Sequence, residues 1–300
     1  MDSDLSLYAL AWYFLIYSGI GWIVEVCYQA VTKANIVNRG FLNGPVCPVY
    51  GAGAICLLLL LYGLDMGAVE EIIPLVVFLS GTLITTVIEL AAGWILDRLF
   101  HARWWDYSQK PFNLHGYICL EFSLIWGFSV TFAARIIHPL VSRLSVGLIP
   151  ERYGWPILGV LYLAYFADLV VTVAILRGLN KRLEELDRIR KQMRVLSDRM
   201  SAQIGENALE TTQKLQEAKV QHALGKAELR AELEDTRKEA QERLQELRAR
   251  SEQLSQGLVS SRHLGAGRIL NAFPSMRHEK YHEVLDEVRT RFRQMGRGKI

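Results

Sequence analysis

The sequence predicts an all-α protein: a polytopic bundle of about five membrane-spanning helices, followed by a long cytoplasmic coiled-coil helix. Three observations carry this reading. Five apolar runs, roughly 7–31, 46–64, 72–97, 117–138 and 155–177, are each long enough to cross a hydrocarbon core of ~30 Å at ~1.5 Å per residue. The charge balance changes between the two parts of the chain. Residues 1–177 hold nine Lys/Arg and twelve Asp/Glu, whereas residues 178–300 hold 25 and 19. Past Arg177 the apolar runs stop, and Leu, Met and Ala recur at three–four spacing without proline as far as residue 258.

The start, Met1-Asp-Ser-Asp-Leu, is acidic and has neither a basic n-region nor a small-residue cleavage site, so the first run is expected to be a retained span. The second run is the shortest and carries Gly51 and Gly53, which leaves tilt or partial re-entry open. The loops orient the bundle. Segment 32–45 carries Lys33 and Arg39, and segment 98–116 carries Arg98, Arg103 and Lys110, while segment 65–71 carries only Asp65, Glu70 and Glu71. The excess of cations on one side places 32–45 and 98–116 in the cytoplasm, with Arg143 and Arg152 as the minority on the outer side. The expected location is therefore a cell membrane crossed several times, with the N-terminus outside and the tail inside.

Beyond the spans, Leu179, Leu183, Leu186, Met193, Met200 and Ile204 form one seam, and Leu244, Leu247, Leu254 and Leu258 form another. Gly205 and Gly225 interrupt the register between them, and Arg190 and Ser197 occupy core positions of the first seam. A long, imperfect coiled coil that self-associates or binds a helical partner through 178–258 is expected; a lone charged helix is the alternative. A last amphipathic helix follows Pro274, with Tyr281, Val284, Leu285, Val288 and Phe292 on one face. The expected division is a membrane domain over 1–177, a coiled coil over 178–258 and a short basic tail over 259–300. Positive charge is spread through a charge-mixed helix and not gathered with aromatics, so no nucleic-acid partner is implied. Cys27, Cys47, Cys56 and Cys119 have no CxxC spacing, and His115 with Cys119 supplies two ligands where zinc takes four. No metal and no cofactor is implied.

Carboxylates stand out against this apolar background. Glu25 lies eight residues before Lys33, Glu89 eight before Asp97 and Asp168 nine before Arg177. At ~1.5 Å per residue each is ~12–14 Å inside the cytoplasmic boundary. Glu121 sits about one turn inside the fourth span. A charge near the bilayer centre costs at least ~3 kcal/mol on insertion scales, so such groups are expected to face the bundle interior or a wet cavity. In the third span Gly81, Thr85, Glu89, Gly93 and Asp97 recur every fourth residue on one helix face. Helix packing around a hydrogen-bonded, protonated glutamate is the plain alternative.

The two cytoplasmic loops are rich in turn formers and donors. The first reads Asn38-Arg39-Gly40-Phe41-Leu42-Asn43-Gly44-Pro45; the second carries Trp104, Trp105, Asp106, Tyr107, Ser108, Asn113 and Gly116. Irregular backbone at membrane depth is tolerated where it lines a cavity or is buried in protein. An interfacial aromatic belt accounts for Trp104 and Trp105 but not for Asp106, Ser108 and Asn113. Expected ligand- or ion-binding residues are Glu25, Asn38, Arg39, Asn43, Glu89, Trp105, Asp106, Tyr107, Asn113, Glu121 and Asp168, with Gly40, Gly44, Pro45 and Gly116 shaping the loops. Glu25, Arg39, Asn43, Glu89, Asp106 and Asn113 are expected to meet in one pocket open to the cytoplasm.

The segments NRGFLNGPVCPVYGAG, IELAAGWILD and WWDYSQKPFNLHGYICLE, in that order, resemble a bacterial membrane-protein family called putative type IV ABC-transporter permeases, CmpB-like, over roughly residues 8–177. The resemblance implies a bacterial cytoplasmic-membrane protein and a permease subunit. The long tail departs from the family pattern. The chain has no GxxxxGK[ST] phosphate loop, so any ATP hydrolysis would need a separate ATPase subunit. It has no HExxH and no GxSxG, and the balance leans away from an enzyme. Three functions compete: a transport component with an acidic, cytoplasm-facing pocket, a membrane-anchored coiled-coil scaffold, and a membrane enzyme on a lipid-like substrate. The topology has a direct test. A cysteine placed at Gly67 is expected to react with an impermeant thiol reagent on intact cells, and one at Ser108 only after permeabilisation. The opposite pattern overturns the cytoplasmic assignment of both loops.

Overall fold

The computed structural model describes residues 6–33, 36–64, 72–217, 223–259 and 265–297. Its helices are α1 (Leu7–Lys33), α2 (Pro48–Gly63), α3 (Pro74–Phe100), α4 (Leu120–Phe132), α5 (His138–Ser142), α6 (Glu151–Glu217), α7 (Ala223–Val259), α8 (Gly265–Ala272) and α9 (His282–Arg297). Four two-residue strands, β1 (Ala102–Arg103), β2 (Asn113–Leu114), β3 (Ile118–Cys119) and β4 (Arg277–His278), pair antiparallel as β1 with β4 and β2 with β3. The chain divides into two compact units, Met1–Gly178 with Ser261–His282, and Leu179–Ser260 with Glu283–Ile300.

Among the described residues four stretches are long and apolar enough to cross a membrane: Leu7–Thr32, Pro74–Phe100, Leu120–Ser145 and Glu151–Ala202. The expected second span is shorter than its apolar run. Pro48, which has no N–H to donate, opens α2 where the helix needs no donor, so Val46 and Cys47 fall outside it. The 16 residues of α2 reach ~24 Å, less than the ~30 Å hydrocarbon core. The fourth span is continuous only because it widens. Residues Ala133–Ile137 form a π-helical turn just before Pro139, whose ring would otherwise press on the carbonyl four residues back.

Small residues set how closely these helices pack. A Cβ on Gly51 would collide with the Phe14 carbonyl and Ser18 Oγ of α1, and one on Gly81 would lie 2.6 Å from Val130 Cγ1 of α4. The row Gly81, Thr85, Glu89, Gly93 and Asp97 is thus a packing seam as well as a ladder of carboxylates; Tyr117 donates to Asp97 Oδ2 at 2.5 Å at its end. Around the α1–α2 contact, Tyr13, Leu57, Leu61, Val77 and Ala134 form a buried core. The start of α6 joins α1 through Tyr162, which donates to the Ala11 carbonyl at 3.0 Å, and through Tyr8, Trp12 and Leu158.

The tail residues 259–300, expected as one piece, are divided between the units. Segment 265–281 belongs to the membrane-helix unit and docks on both loops. Ala102 pairs with His278, Trp104 meets Phe273 edge-to-face with ring centroids 4.5 Å apart, and Arg277 lies 3.9 Å from Asp106. Arg268 is only 3% exposed. It donates to Asn43 Oδ1 (3.1 Å) and to the carbonyls of Asn38 (3.3 Å), Gly40 (2.9 Å) and Phe41 (3.0 Å).

In the second unit the two seams face each other inside one chain. α6 and α7 run antiparallel, with Arg182 near Gly257 and Arg250 bonded to Glu185 at 2.6 Å. Leu179, Leu183, Leu186 and Ile189 of α6, Leu258 of α7, and Val284, Leu285 and Val288 of α9 are buried. Met193, Met200, Leu244, Leu247 and Leu254 are half-buried, while the side chains of Ile204 and Phe292 lie outside the described residues.

Docking of segment 265–281 has two measurable consequences. Arg268→Met keeps the side-chain length but leaves four acceptors without their donor, a cost of about 2–4 kcal/mol. The expected result is a lower thermal midpoint and faster hydrogen exchange in 265–281 with α1 and α3 unchanged; equal midpoints and equal exchange would refute it. His278 Nδ1 accepts from the backbone N–H groups of Lys280 and Tyr281, both at 3.2 Å. Burial, aided by His101 and Lys280 and opposed by Glu279 and Asp97, pulls its pKa down to about 4. Its contribution is therefore complete above its ordinary pKa of ~6.5 and is lost as pH falls towards 4, up to ~3 kcal/mol. Protection factors in 277–281, with the intrinsic pH dependence of exchange divided out, should fall between pH 7 and pH 5, and His278→Gln should flatten that response.

Candidate functional site

A cavity of about 700 Å³ lies among α1–α4, and its walls are largely apolar and aromatic. Its polar groups are few. Glu25 comes from α1, Arg39 from the first loop, Tyr50 from α2, Glu89 from α3, and Trp105 and Tyr107 from the second loop; Trp126 of α4 and Phe273 of the tail also line it.

The two glutamates stand in different electrostatic settings. Arg39 Nε lies 3.3 Å from Glu25 Oε2, with both side chains 24% exposed. Tyr50 donates to Glu25 Oε1 at 2.9 Å, and the Arg39 guanidinium lies 5.2 Å from the Tyr28 ring centroid. Glu25 is thus neutralised and oriented. The Tyr107 hydroxyl donates to Glu89 Oε1 at 3.1 Å, and the Trp126 side chain is a second hydrogen-bond partner of this carboxyl group. No ion pair to Glu89 is formed among the described residues. Burial and the adjacent Glu89 carboxylate raise the Tyr107 pKa above its ordinary value, which keeps the phenol a donor. Tyr107 is held by stacking on Phe122, with centroids 4.8 Å apart. Tyr50 meets Trp126 edge-to-face at 5.5 Å. Tyr50 and Trp126 therefore connect the two carboxyl groups, Tyr50 bonding Glu25 and Trp126 bonding Glu89.

Asp168 belongs to a separate hub on the first loop. It accepts from Asn43 N–H (3.2 Å), Asn43 Nδ2 (2.9 Å) and Gly44 N–H (2.7 Å). Asn38 Nδ2 donates to the Asn43 carbonyl at 2.6 Å, and Asn38 Oδ1 accepts from Trp22 Nε1 and from Gly40 N–H. Asn38, Asn43 and Asp168, expected to bind ligand, shape the loop that presents Arg39, through hydrogen bonds with one another, the loop backbone, Trp22, Thr172 and Arg268. Pro45 is exposed at the end of this loop.

Asp106 and Asn113 likewise serve a turn. Asp106 Oδ1 accepts from Ser108 N–H at 2.9 Å, and Asn113 Nδ2 donates to the Lys110 carbonyl at 2.7 Å. Burial works to raise the Asp106 pKa, but the Ser108 hydrogen bonds with Arg103 and Arg277 hold it below the usual carboxylate range. Gly116 has φ +74°, and a Cβ there would lie 2.7 Å from Asp106 Oδ1. Glu121 pairs with Lys110 at 2.9 Å at an exposed position. Of the six side chains expected in one pocket, Glu25, Arg39 and Glu89 line the cavity; Asn43, Asp106 and Asn113 do not. Asn43 is engaged by Asp168, Thr172 and Arg268, and Asp106 and Asn113 by hydrogen bonds within the second loop.

Sequence reasoning missed Tyr50 as a partner of Glu25, and it missed Trp126, Arg268 and Phe273. Tyr50 and Trp126 sit in apolar runs where an aromatic residue carries no distinguishing signal. Arg268 reaches Asn43 from 225 residues away, and Phe273 reaches Trp104 from 169. Among the described residues no three His, Cys, Asp or Glu side chains are placed to share a metal ion.

The cavity, both loops and all the expected site residues lie within the stretch 12–173, which matches a family model described as "Putative ABC-transporter type IV". No curated protein and no solved structure matches the chain. Since the match spans more than half of its 300 residues and includes the whole cavity apart from the tail's Phe273, the chain belongs to the CmpB-type family of ABC-transporter type IV membrane proteins.

Proposed function

We propose that this protein is the membrane component of a transport system and that the cavity binds an amphiphilic solute reached from the cytoplasmic side. The observation that carries this is a cavity of about 700 Å³, within the ~300–1,000 Å³ range of small-molecule sites, walled mostly by apolar side chains, with the Glu25–Arg39 pair, Glu89 and His138 as its acidic and basic side chains among the described residues. Membrane carboxylates of this kind mark substrate and ion pathways. Both loops then lie on the cytoplasmic face of a cell membrane. The family membership supports a separate ATPase subunit, because this chain has no phosphate loop.

A second reading, a scaffold, is favoured by the α6–α7 pair, which extends well beyond the family-matched stretch. Leu183, Leu186, Ile189 and Leu258 are already buried within the chain, so partner binding would fall to the charged outer faces and not to the seams.

Native mass spectrometry of the full-length protein in mild detergent tests the transport reading. Gly53 lines the cavity with open space beside it, the nearest atom to an added Cβ being 4.0 Å away. Gly53→Phe should fill the cavity without unfolding the bundle. The wild type should carry a small amphiphile that Gly53→Phe lacks; an identical small-molecule content in both would sink the reading. Arg39→Ala strands a partly buried carboxylate and should cost about 1–3 kcal/mol, with Arg39→Lys intermediate because the guanidinium fork is lost. The pair Glu25→Gln with Arg39→Gln should recover part of that loss. If Arg39→Ala and Arg39→Lys both leave midpoint and ligand content unchanged, Arg39 is a topology signal only.

A further inference from the structure

Charge and hydrogen-bond accounting inside the cavity points to the kind of solute it takes. The carboxylate and guanidinium side chains on its wall are Glu25, Arg39 and Glu89. The first two pair at 3.3 Å, and Arg39 already faces the Tyr28 ring. Among the described residues that line the cavity, no Lys or Arg is left without an acidic partner to receive an anionic headgroup. Glu89 remains: Tyr107 and Trp126 hydrogen-bond to it, and no cation among the described residues pairs with it. A carboxylate removed from water must either take up a proton or gain a positive partner. The neighbouring walls favour the second. Trp105, Tyr107 and Trp126 line the same cavity, and aromatic faces attract cations most strongly where water is excluded. Beyond them the lining is Ile20, Leu57, Ile84 and Ile88, which suits an apolar body.

We propose that the solute bound in this cavity is a lipophilic cation, an ammonium or phosphonium compound whose charge pairs with Glu89 and whose apolar part lies against the aromatic and aliphatic walls. This rests on the reading of the cavity as a solute site and adds the sign of the charge. Glu89 is the binding residue; Tyr107 positions its carboxylate by holding Oε1. Glu25 and Arg39 form a neutral pair that does not compete for the solute.

Equilibrium binding of radiolabelled tetraphenylphosphonium to the full-length protein in dodecyl maltoside tests the proposal. Saturable binding is expected, with displacement by uncharged triphenylphosphine oxide and by the tetraphenylborate anion at least about tenfold weaker. Glu89→Gln, which keeps the shape and removes the charge, should weaken binding about tenfold or more, while Glu89→Asp should retain most of it. Gly53→Phe should abolish it. Thermal midpoints of all variants establish that they are folded. If folded Glu89→Gln binds the cation like wild type, or the uncharged compound competes equally, the charge assignment is wrong; a loss in Gly53→Phe would then still leave the cavity as a solute site. If no probe of any charge binds, or Gly53→Phe binds as well as wild type, both the charge assignment and the cavity reading fail.

Discussion

A single carboxylate on α6 organises the first loop, and much of the site depends on it. Asp168 takes three hydrogen bonds from Asn43 and Gly44, which turns the carbonyls of Asn38, Gly40 and Phe41 the other way. Those carbonyls converge on the Arg268 guanidinium. The loop is thereby held between an anion and a cation, with its backbone groups satisfied internally, as irregular backbone near membrane depth requires. Arg39 sits in the middle of this arrangement and is delivered to Glu25. Neither Asp168 nor Arg268 lines the cavity, yet both decide where its one arginine points.

The three membrane carboxylates thus divide their roles. Asp168 is structural, saturated by backbone and amide donors. Glu25 is neutralised by Arg39 and steadied by Tyr50. Glu89 has hydrogen-bond partners but no ionic one among the described residues, in an aromatic-walled cavity. Carboxylates at the same predicted depth thus serve as a loop anchor, half of an ion pair and a group without a counter-ion. Surroundings, not identity, assign the role, because burying a charge is tolerable only with a partner. That rule makes Glu89 the most informative of the three.

The segment 265–281 extends the family architecture. It brings Arg268 to the first loop, and Phe273 and β4 to the second, so both loops that shape the cavity are tied to one short stretch near the C-terminus. Much of that anchorage is polar: a buried guanidinium on backbone carbonyls and the backbone pairing of β1 with β4. Such bonds carry a high penalty when one side is removed, which adds specificity to the burial of Ile269, Leu270 and Met276.

Hydropathy and charge alone determined the class of this protein. The runs of apolar residues, the cation bias of the loops, and the shift to a three–four repeat after Arg177 report on solvent and periodicity, which are local properties of a chain. The carboxylates of interest, the loops and the row from Gly81 to Asp97 were legible for the same reason. Tertiary structure decided what these groups do. Asn43, Asp106 and Asn113 look like site residues in sequence because polar groups beside apolar runs invite that reading; Asn43 is engaged by Asp168, Thr172 and Arg268, and the other two by hydrogen bonds within the second loop. Tyr50 and Trp126 look like core and turn out to serve the cavity. The shortening of α2, the return of segment 265–281 and the pairing of the two seams within one chain all rest on contacts between residues far apart in sequence, and no local pattern encodes which distant donor will meet which acceptor.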